Sequence, residues 1–381
     1  MGGAAGPTLR IALYVHALAA TGVVRNVRLL AADFHARGHA VQLVTALPGG
    51  EGVEAVPHHA LLPDARGSRL WQKWRAMPRL RAHLRSTQAD LLLSAGNHGH
   101  LTAMLGSRAV PGLRRIYRIS NDLRRSTPGT PKGIGGRMAR ALVAWLLAAD
   151  ADHLVLVSPT LAVDTPTFGR LLAAGRASVI ENAIDADAAR VRADGPPPHH
   201  WFEDMVPVIL AIGRLAPQKN FGTLLAAFAR LRQDGTAARL VILGESRDRA
   251  QQALRAQAAA LGIGTDLLLP GTVANVFPWI AGSRVFILPS WWEGSANVLL
   301  EAMALDVPVV ASRSAGNAAS VLQQGRHGVL VDPADPDAMA QALARQIDPD
   351  QAVRPGRRIE DYRLDAMFGA WARMMASMAS H

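Results

Sequence analysis

Short, nearly continuous apolar runs, each separated from the next by a stretch with helical spacing, restrict this chain more than any other feature. Leu9–Val15, Ala40–Thr45, Ala89–Ser94, Arg115–Ile119, His153–Ser158 and Ala177–Ile180 make up the series in the first half. A strand that is apolar on both faces must be covered on both, as in a parallel sheet flanked by helices. After the first run, Gly22 is expected in a loop, and Val24–Arg37 has the spacing of a helix that stops at Gly38.

The second half follows the same logic. Strands are predicted over Val206–Ile212, Arg239–Leu243, Asp266–Leu269, Val285–Leu288, Val307–Ala311 and Gly328–Val331. Helices are predicted over Phe221–Gln233, Arg249–Leu261, Ser295–Ala304, Pro336–Arg345 and, at the C-terminus, Asp361–Ser380. Between the halves, Gly195-Pro196-Pro197-Pro198 can continue neither a helix nor a central strand, which places a linker over Asn182–His200. The expected fold is α/β, with two Rossmann-like doubly wound domains over residues 1–190 and 200–360 and a C-terminal helix over residues 361–381. Ligands of open α/β sheets bind beyond the carboxyl ends of the strands, so functional residues are expected on the loops that follow strands, facing a cleft between the domains.

Charge is distributed unevenly. Up to Arg190 there are 23 Lys and Arg against 12 Asp and Glu, and beyond it 18 of each, so the whole net charge of +11 lies in the first half. A basic half suggests an anionic partner: a membrane surface, a lipid phosphate or a nucleic acid. The chain has no cysteine, which excludes disulfides, thiolate metal sites and a cysteine nucleophile. No signal peptide is recognisable, and Leu9–Val15 and Ala141–Ala149 fall far short of the roughly 20 residues a membrane span needs. A cytoplasmic protein is expected, soluble or peripheral on the inner face of the membrane.

Two constellations carry chemistry. Gly213-Arg214-Leu215-Ala216-Pro217-Gln218-Lys219-Asn220 directly follows a predicted strand. Gly213 would permit a sharp turn, and Arg214 and Lys219 would put two cations at a strand end, just before a helix N-terminus, an arrangement suited to a diphosphate. The segment Ser290–Glu301 also follows a strand. Its carboxylates, Glu293 in the loop and Glu301 two turns into the helix, fall on roughly one face. Glu301 could accept from a ribose diol, and the N–H groups of Asn297, Val298 and Leu299 at the helix start could face phosphate.

Occurring together and in this order, GRLAPQKN and EGSANVLLEAMALDVPVVAS resemble the C-terminal domain of the GT-B glycosyltransferases of family 4 (glycosyl transferases group 1). The likeness extends through Leu243-Gly244-Glu245, Leu269–Asn275 and Gly325–Asp332. In the first half, Gly22–Val27, Val157-Ser158 and Val179–Asp185 resemble the same family more weakly. The resemblance implies a retaining, metal-independent transfer from a nucleotide sugar, UDP-linked by family frequency, to a glycan or lipid-linked acceptor, as in polysaccharide or lipopolysaccharide synthesis. It implies that Arg214 and Lys219 neutralise the donor diphosphate, that Glu293, beside Gly294, contacts the sugar hydroxyls, and that Glu301 holds the ribose. Asn297, Val298 and Leu299 would support sugar and phosphate, Val273 would meet the base through its backbone, and Gly22 would allow the first-half loop to approach the diphosphate. The C-terminal helix would return to the N-terminal domain. Neither a cofactor nor a metal is implied.

Family members often carry a histidine after the strand matched by Arg115–Ile119, where this chain reads Arg118-Ile119-Ser120-Asn121-Asp122. Asn121, His98 and His100 are therefore the acceptor-side candidates. Asp306 stands where the family has a turn glycine, a position where aspartate tolerates the left-handed conformation. Ser68–Arg85 sets Trp71, Trp74, Met77 and Leu80 among six Lys and Arg, the pattern of an interfacial helix, and a second basic stretch runs from Arg114 to Arg140. Competing readings are a GT-B-fold nucleotide-sugar epimerase and a non-catalytic nucleotide-sugar binder. Nucleic acid is not expected as a partner, because the basic half carries no recognition motif.

Overall fold

A computed structural model describes residues 8–19, 21–64, 66–123, 133–245 and 248–379. The chain divides into two compact units, Met1–Glu181 with Phe368–His381, and Asn182–Met367.

Unit 1 runs β1 (Arg10–Val15), α1 (Gly22–Ala36), β2 (Ala40–Thr45), β3 (His58–Ala60), α2 (Arg69–Ser86), β4 (Leu91–Ala95), α3 (His100–Ser107), β5 (Arg114–Ile119), α4 (Ile134–Asp150), β6 (His153–Leu156), α5 (Pro159–Asp164), α6 (Pro166–Ala173) and β7 (Ala177–Val179). Its sheet has the order β3-β2-β1-β4-β5-β6-β7 and every pairing is parallel. In β1, Ile11 to Val15 are buried on both faces, which accounts for the unbroken apolar run in the sequence. The short edge strand β3 was not expected; its sequence, His-His-Ala, has no apolar periodicity to reveal it.

Unit 2 opens with α7 (Ala186–Ala193), then β8 (Val208–Ile212), α8 (Phe221–Gln233), β9 (Arg239–Leu243), α9 (Asp248–Ala260), β10 (Leu267–Gly271), α10 (Phe277–Gly282), β11 (Val285–Leu288), α11 (Asn297–Ala304), β12 (Val309–Ser312), α12 (Ala318–Val321), β13 (Val329–Val331) and α13 (Pro336–Ile347). The sheet order is β10-β9-β8-β11-β12-β13, again parallel throughout. Val208, Leu210 and Ile212 pack into one core and Ile209 and Ala211 into another, so alternate residues of β8 serve the two faces.

Two expectations need correction. Asn182–His200 is not a bare linker: α7 occupies its middle, capped by the Asp185 carboxylate, which accepts from the Ala188 N–H at 2.9 Å. Ile184 pairs with Arg363, and its N–H donates to the Tyr362 carbonyl, which ties the start of this segment into unit 2. The tri-proline run ends the helix instead of defining the whole segment. The C-terminal helix α14 spans Leu364–Ala379, later than Asp361, and from Phe368 onward it belongs to unit 1. There Trp371 is fully buried, edge-on to Phe34 of α1 with ring centroids 5.9 Å apart. Met1–Pro7 and the part of the basic stretch at residues 124–132 lie outside the described residues.

In each sheet the strand order reverses once, between β1 and β4 and between β8 and β11, and loops leaving such neighbours diverge to leave a crevice. The carboxyl edge of the second sheet is tied together by glycine backbones. Gly213 N–H donates to Leu243 O and Gly244 N–H to Gly271 O, both at 2.8 Å. Gly244 has φ +145°, and a Cβ there would lie 2.1 Å from the Gly213 carbonyl oxygen. Gly244→Ala should therefore lower unfolding stability by about 1–3 kcal/mol or more. Urea denaturation checks this, with Gly235→Ala as the control for a left-handed glycine in open space.

Candidate functional site

The loops that follow β8 and β11 converge at the switch point of the second sheet. After β8 the chain passes through Gly213 and Arg214 into a single 3-10 turn, Pro217–Lys219, and reaches Asn220, which takes the left-handed conformation at φ 58° and ψ 32°. Asparagine tolerates that conformation, and here its side chain also has structural work to do. The buried Asn220 amide donates to Pro289 O at 3.1 Å and Pro333 O at 2.7 Å, and its oxygen accepts from Thr223 Oγ1 at 2.7 Å. Gln218 adds two more ties: its side chain donates to Trp292 O at 2.7 Å and its carbonyl accepts from Trp291 N–H at 2.9 Å. The two loops are thus locked to each other along their length.

Across this seam Lys219 Nζ meets Glu293 Oε1 at 2.6 Å, with both side chains mostly buried. Ser290 Oγ donates to the same carboxylate oxygen at 2.6 Å, and Ser312 Oγ donates to the Ser290 carbonyl. The result is a chain running from β12 through Ser290 to Glu293 and Lys219. Charge-assisted bonds of this kind contribute roughly 1.5–3 kcal/mol each.

Gly213 lies at the bend where the chain leaves β8, without a left-handed backbone. It supplies space: a Cβ at this position would fall 2.7 Å from Lys219 Cε, where the lysine side chain folds back over the strand end. Gly316 plays a related part behind the site, with φ 60° and room for a Cβ only 3.1 Å from Glu293 Cβ.

Arg214 is exposed, and among the described residues its guanidinium has no hydrogen-bond or ion-pair partner. Gly294 is buried, Val273 half-buried against the core, and Glu301 buried at 7% exposure on α11. The start of α11 differs from expectation. Asn297 N–H turns back to Ser295 O at 3.1 Å and Leu299 N–H to Ala296 O at 3.0 Å, so two of the three amides expected to face phosphate are engaged locally, while Val298 is half-buried against the core. Asn317 Oδ1 accepts from Ala296 N–H at 3.1 Å and Asn182 Nδ2 donates to Asn297 Oδ1 at 2.5 Å; the sequence places Asn182 only in a family-like segment at the linker and gives Asn317 no role, because isolated asparagines carry no spacing signal. Ser295 Oγ is buried without a hydrogen-bond partner among the described residues.

The first-half candidates separate. Gly22 is the first residue of α1, not part of a loop, and its carbonyl accepts from Asn26 Nδ2 at 2.7 Å. His98 is exposed. His100 is a core residue at 1% exposure, edge-on to Tyr117 and bonded through Nδ1 to Ser94 Oγ at 2.9 Å. Burial drives its pKa down to about 3, so it is withdrawn as an acceptor-side group. Asn121 is held in a loop-to-loop contact: its carbonyl accepts from Asn97 Nδ2 at 2.9 Å and its Oδ1 from Asp122 N–H at 2.9 Å. Arg118, at 1% exposure, places a guanidinium inside β5, where burial lowers its pKa to about 10 and leaves it charged at neutral pH. Asp306, at φ 53°, does take the left-handed turn expected of it. Among the described residues no three His, Asp or Glu side chains gather in a set that could hold a metal ion.

Two family models match the chain: Glycosyltransferase Family 4 over residues 20–188 and Glycosyl transferases group 1 over residues 206–348. Among curated proteins, the lipopolysaccharide core biosynthesis glycosyltransferase LpsE of Rhizobium meliloti is 32% identical over 167 residues, which is 44% of this chain and 46% of that one. An N-acetylgalactosaminyltransferase of Campylobacter jejuni, named for a diphospho-undecaprenol acceptor, is 30% identical over 179 residues, 46% of each chain. The chain therefore spans about half the length of these curated relatives. Among solved structures, Anabaena Alr3699/HepE in complex with UDP and glucose aligns with a TM-score of 0.79 at 16% identity, covering 97% of this chain and 100% of that one.

The buried imidazole gives a pH test. His100 titrates near 6.5 when unfolded and at about 3 when folded, so the unfolded state takes up the proton first as pH falls. The stability contributed by neutral His100 is complete above pH ~6.5 and is lost at about 1.4 kcal/mol per unit below it, down to the folded pKa. Urea titrations between pH 7 and about 5 should show that slope reduced in His100→Gln.

Proposed function

We propose, for a chain that belongs to the family 4 glycosyltransferases, that it transfers a sugar from a nucleotide diphosphate donor to a glycan or lipid-linked acceptor in the assembly of a cell-surface polysaccharide or lipopolysaccharide. One observation above all carries this reading: a cation and a carboxylate, Lys219 and Glu293, meet at 2.6 Å where the loops leaving β8 and β11 converge, with the exposed Arg214 in the first of these loops. A sugar diphosphate needs both kinds of group, cations for phosphate and an acceptor for sugar hydroxyls. UDP is favoured as the nucleotide because HepE, a fold neighbour, is described with UDP and glucose. The names of LpsE and of the Campylobacter transferase support a lipopolysaccharide or lipid-diphosphate acceptor.

In the proposed chemistry the bond between the anomeric carbon and the donor phosphate oxygen breaks. The acceptor oxygen bonds to that carbon on the same face, and the departing phosphate takes the acceptor's proton. Negative charge grows on the diphosphate as the bond breaks, and Arg214 and Lys219 are the groups that stabilise it, in the role a divalent metal plays elsewhere. Glu293 holds the donor sugar, Glu301 the ribose, and Val273 the base through its backbone. Of the first-half candidates, Gly22 at the start of α1 is assigned to the diphosphate, and His98 and Asn121 to the acceptor. The reading includes a cytoplasmic location with access to the inner membrane face. No helix among the described residues is long and apolar enough to cross a membrane.

Calorimetry against UDP, GDP, ADP and their sugars tests the donor site. Selective binding of one nucleotide sugar is expected, weakened about 10- to 100-fold by Lys219→Ala and by Arg214→Ala. No binding in the wild type would sink the reading. Ser290 acts through Glu293, so Ser290→Ala should lower kcat about three- to tenfold while KM changes little, and Ser290→Thr, which keeps the hydroxyl, should restore most of it.

A further inference from the structure

Two helices of unit 1 hold large apolar side chains in solvent on the same side of their sheet. In α4, Ile134, Met138, Leu142 and Trp145 are 77%, 68%, 54% and 56% exposed. Their spacing of four, four and three residues draws one stripe along the helix. Across the helix, Ala144, Leu147 and Ala148 enter the core. In α2, Leu70, Trp71 and Trp74 are 67%, 58% and 58% exposed, while Ala76, Leu80 and Leu84 enter the same core cluster. Helix α3 packs against both, so the two exposed groups belong to a single helical layer. Met77 and Leu80, grouped with the tryptophans in the sequence pattern, do not join them: Met77 is half-buried and Leu80 fully so.

The charge around these groups is mainly positive, with Asp64 paired to Arg75 at 3.5 Å. Helix α2 carries six Lys and Arg and no carboxylate. Lys73 is half-buried beside Arg69; burial first, and then Arg69, lower its pKa. In α4 the basic residues are Arg137 and Arg140, and the sole carboxylate is Asp150, its last residue. Exposed tryptophan and aliphatic side chains flanked by cations match a bilayer interface: rings sit at headgroup depth, and lysine and arginine stems run alongside to reach lipid phosphate. A second copy of the chain is a poorer fit, because a two-fold contact would set one cationic surface against another.

We propose that α2 and α4 together form a membrane-contact surface that seats unit 1 on a bilayer containing anionic lipid. This deepens the lipid-linked acceptor reading, which supplies the reason for a bilayer, but the surface stands on its own observations. Flotation of the full chain with vesicles of phosphatidylcholine, alone or mixed with phosphatidylglycerol, tests it. The wild type should float with the mixed vesicles, about tenfold less with phosphatidylcholine alone, and less in high salt. The exposed-site variant Met138→Ser with Leu142→Ser should lose about tenfold or more in partitioning while keeping the wild-type melting temperature. Arg137→Glu should weaken binding to the mixed vesicles only. Equal flotation of wild type and double variant, or no flotation of either, would overturn the proposal. So would a concentration-dependent dimer abolished by the double variant, since it would assign the face to a second copy. Calorimetry on the same samples separates the two readings: absent nucleotide-sugar binding refutes the transferase reading, whereas absent flotation with nucleotide binding intact refutes this one alone.

Discussion

Lys219 and Glu293 are 74 residues apart in sequence and 2.6 Å apart in space, and the sheet topology is what closes that distance. Strands β8 and β11 are hydrogen-bonded neighbours although β9 and β10 intervene in the chain, so the loops that leave them start side by side. The parallel arrangement puts every strand's carboxyl end on one edge, and the order reverses at this pair. Asn220 and Gln218 then fasten one loop to the other through main-chain oxygens. The ion pair is formed on a frame already fixed by backbone bonds, with Ser290 and Ser312 behind it.

Much of this frame can be read directly from the sequence. Ala40–Thr45, Phe221–Gln233, Arg239–Leu243 and Val285–Leu288 occupy the spans expected from apolar patterning. The strands among them lie inside the sheets and the helix covers a sheet face, positions where composition has little freedom. What escaped were elements without that constraint. Strand β3 is three residues at a sheet edge, and α7 sits in a stretch dominated by its prolines. Helix α4 was visible only as a short apolar segment, because the sequence cannot say that Leu142 and Trp145 face water while Leu147 faces the core.

The site was legible to a different degree. GRLAPQKN and the paired glutamates identify the family and the residues, but not how those residues engage one another. Spacing does not reveal that Lys219 lies on Glu293, that Gly213 serves as room for Lys219, or that the first turn of α11 spends two of its amides locally. His100 marks the opposite limit. A histidine after a strand invites a functional role, yet Ser94 and Tyr117 enclose it as a neutral core residue. Side-chain partners across the chain decided each of these, and one sequence contains no record of them.

Paired with each other, Lys219 and Glu293 largely cancel one another's charge. A phosphate that draws Lys219 away leaves a mostly buried carboxylate that, among the described residues, keeps Ser290 alone as a donor, and that uncompensated charge costs free energy unless another donor replaces the ammonium. Sugar hydroxyls are such donors and a bare polyphosphate has none. If the donor is an activated sugar, as proposed, discrimination against a bare polyphosphate then arises from an exchange of partners inside the protein, without any pocket shaped to exclude it.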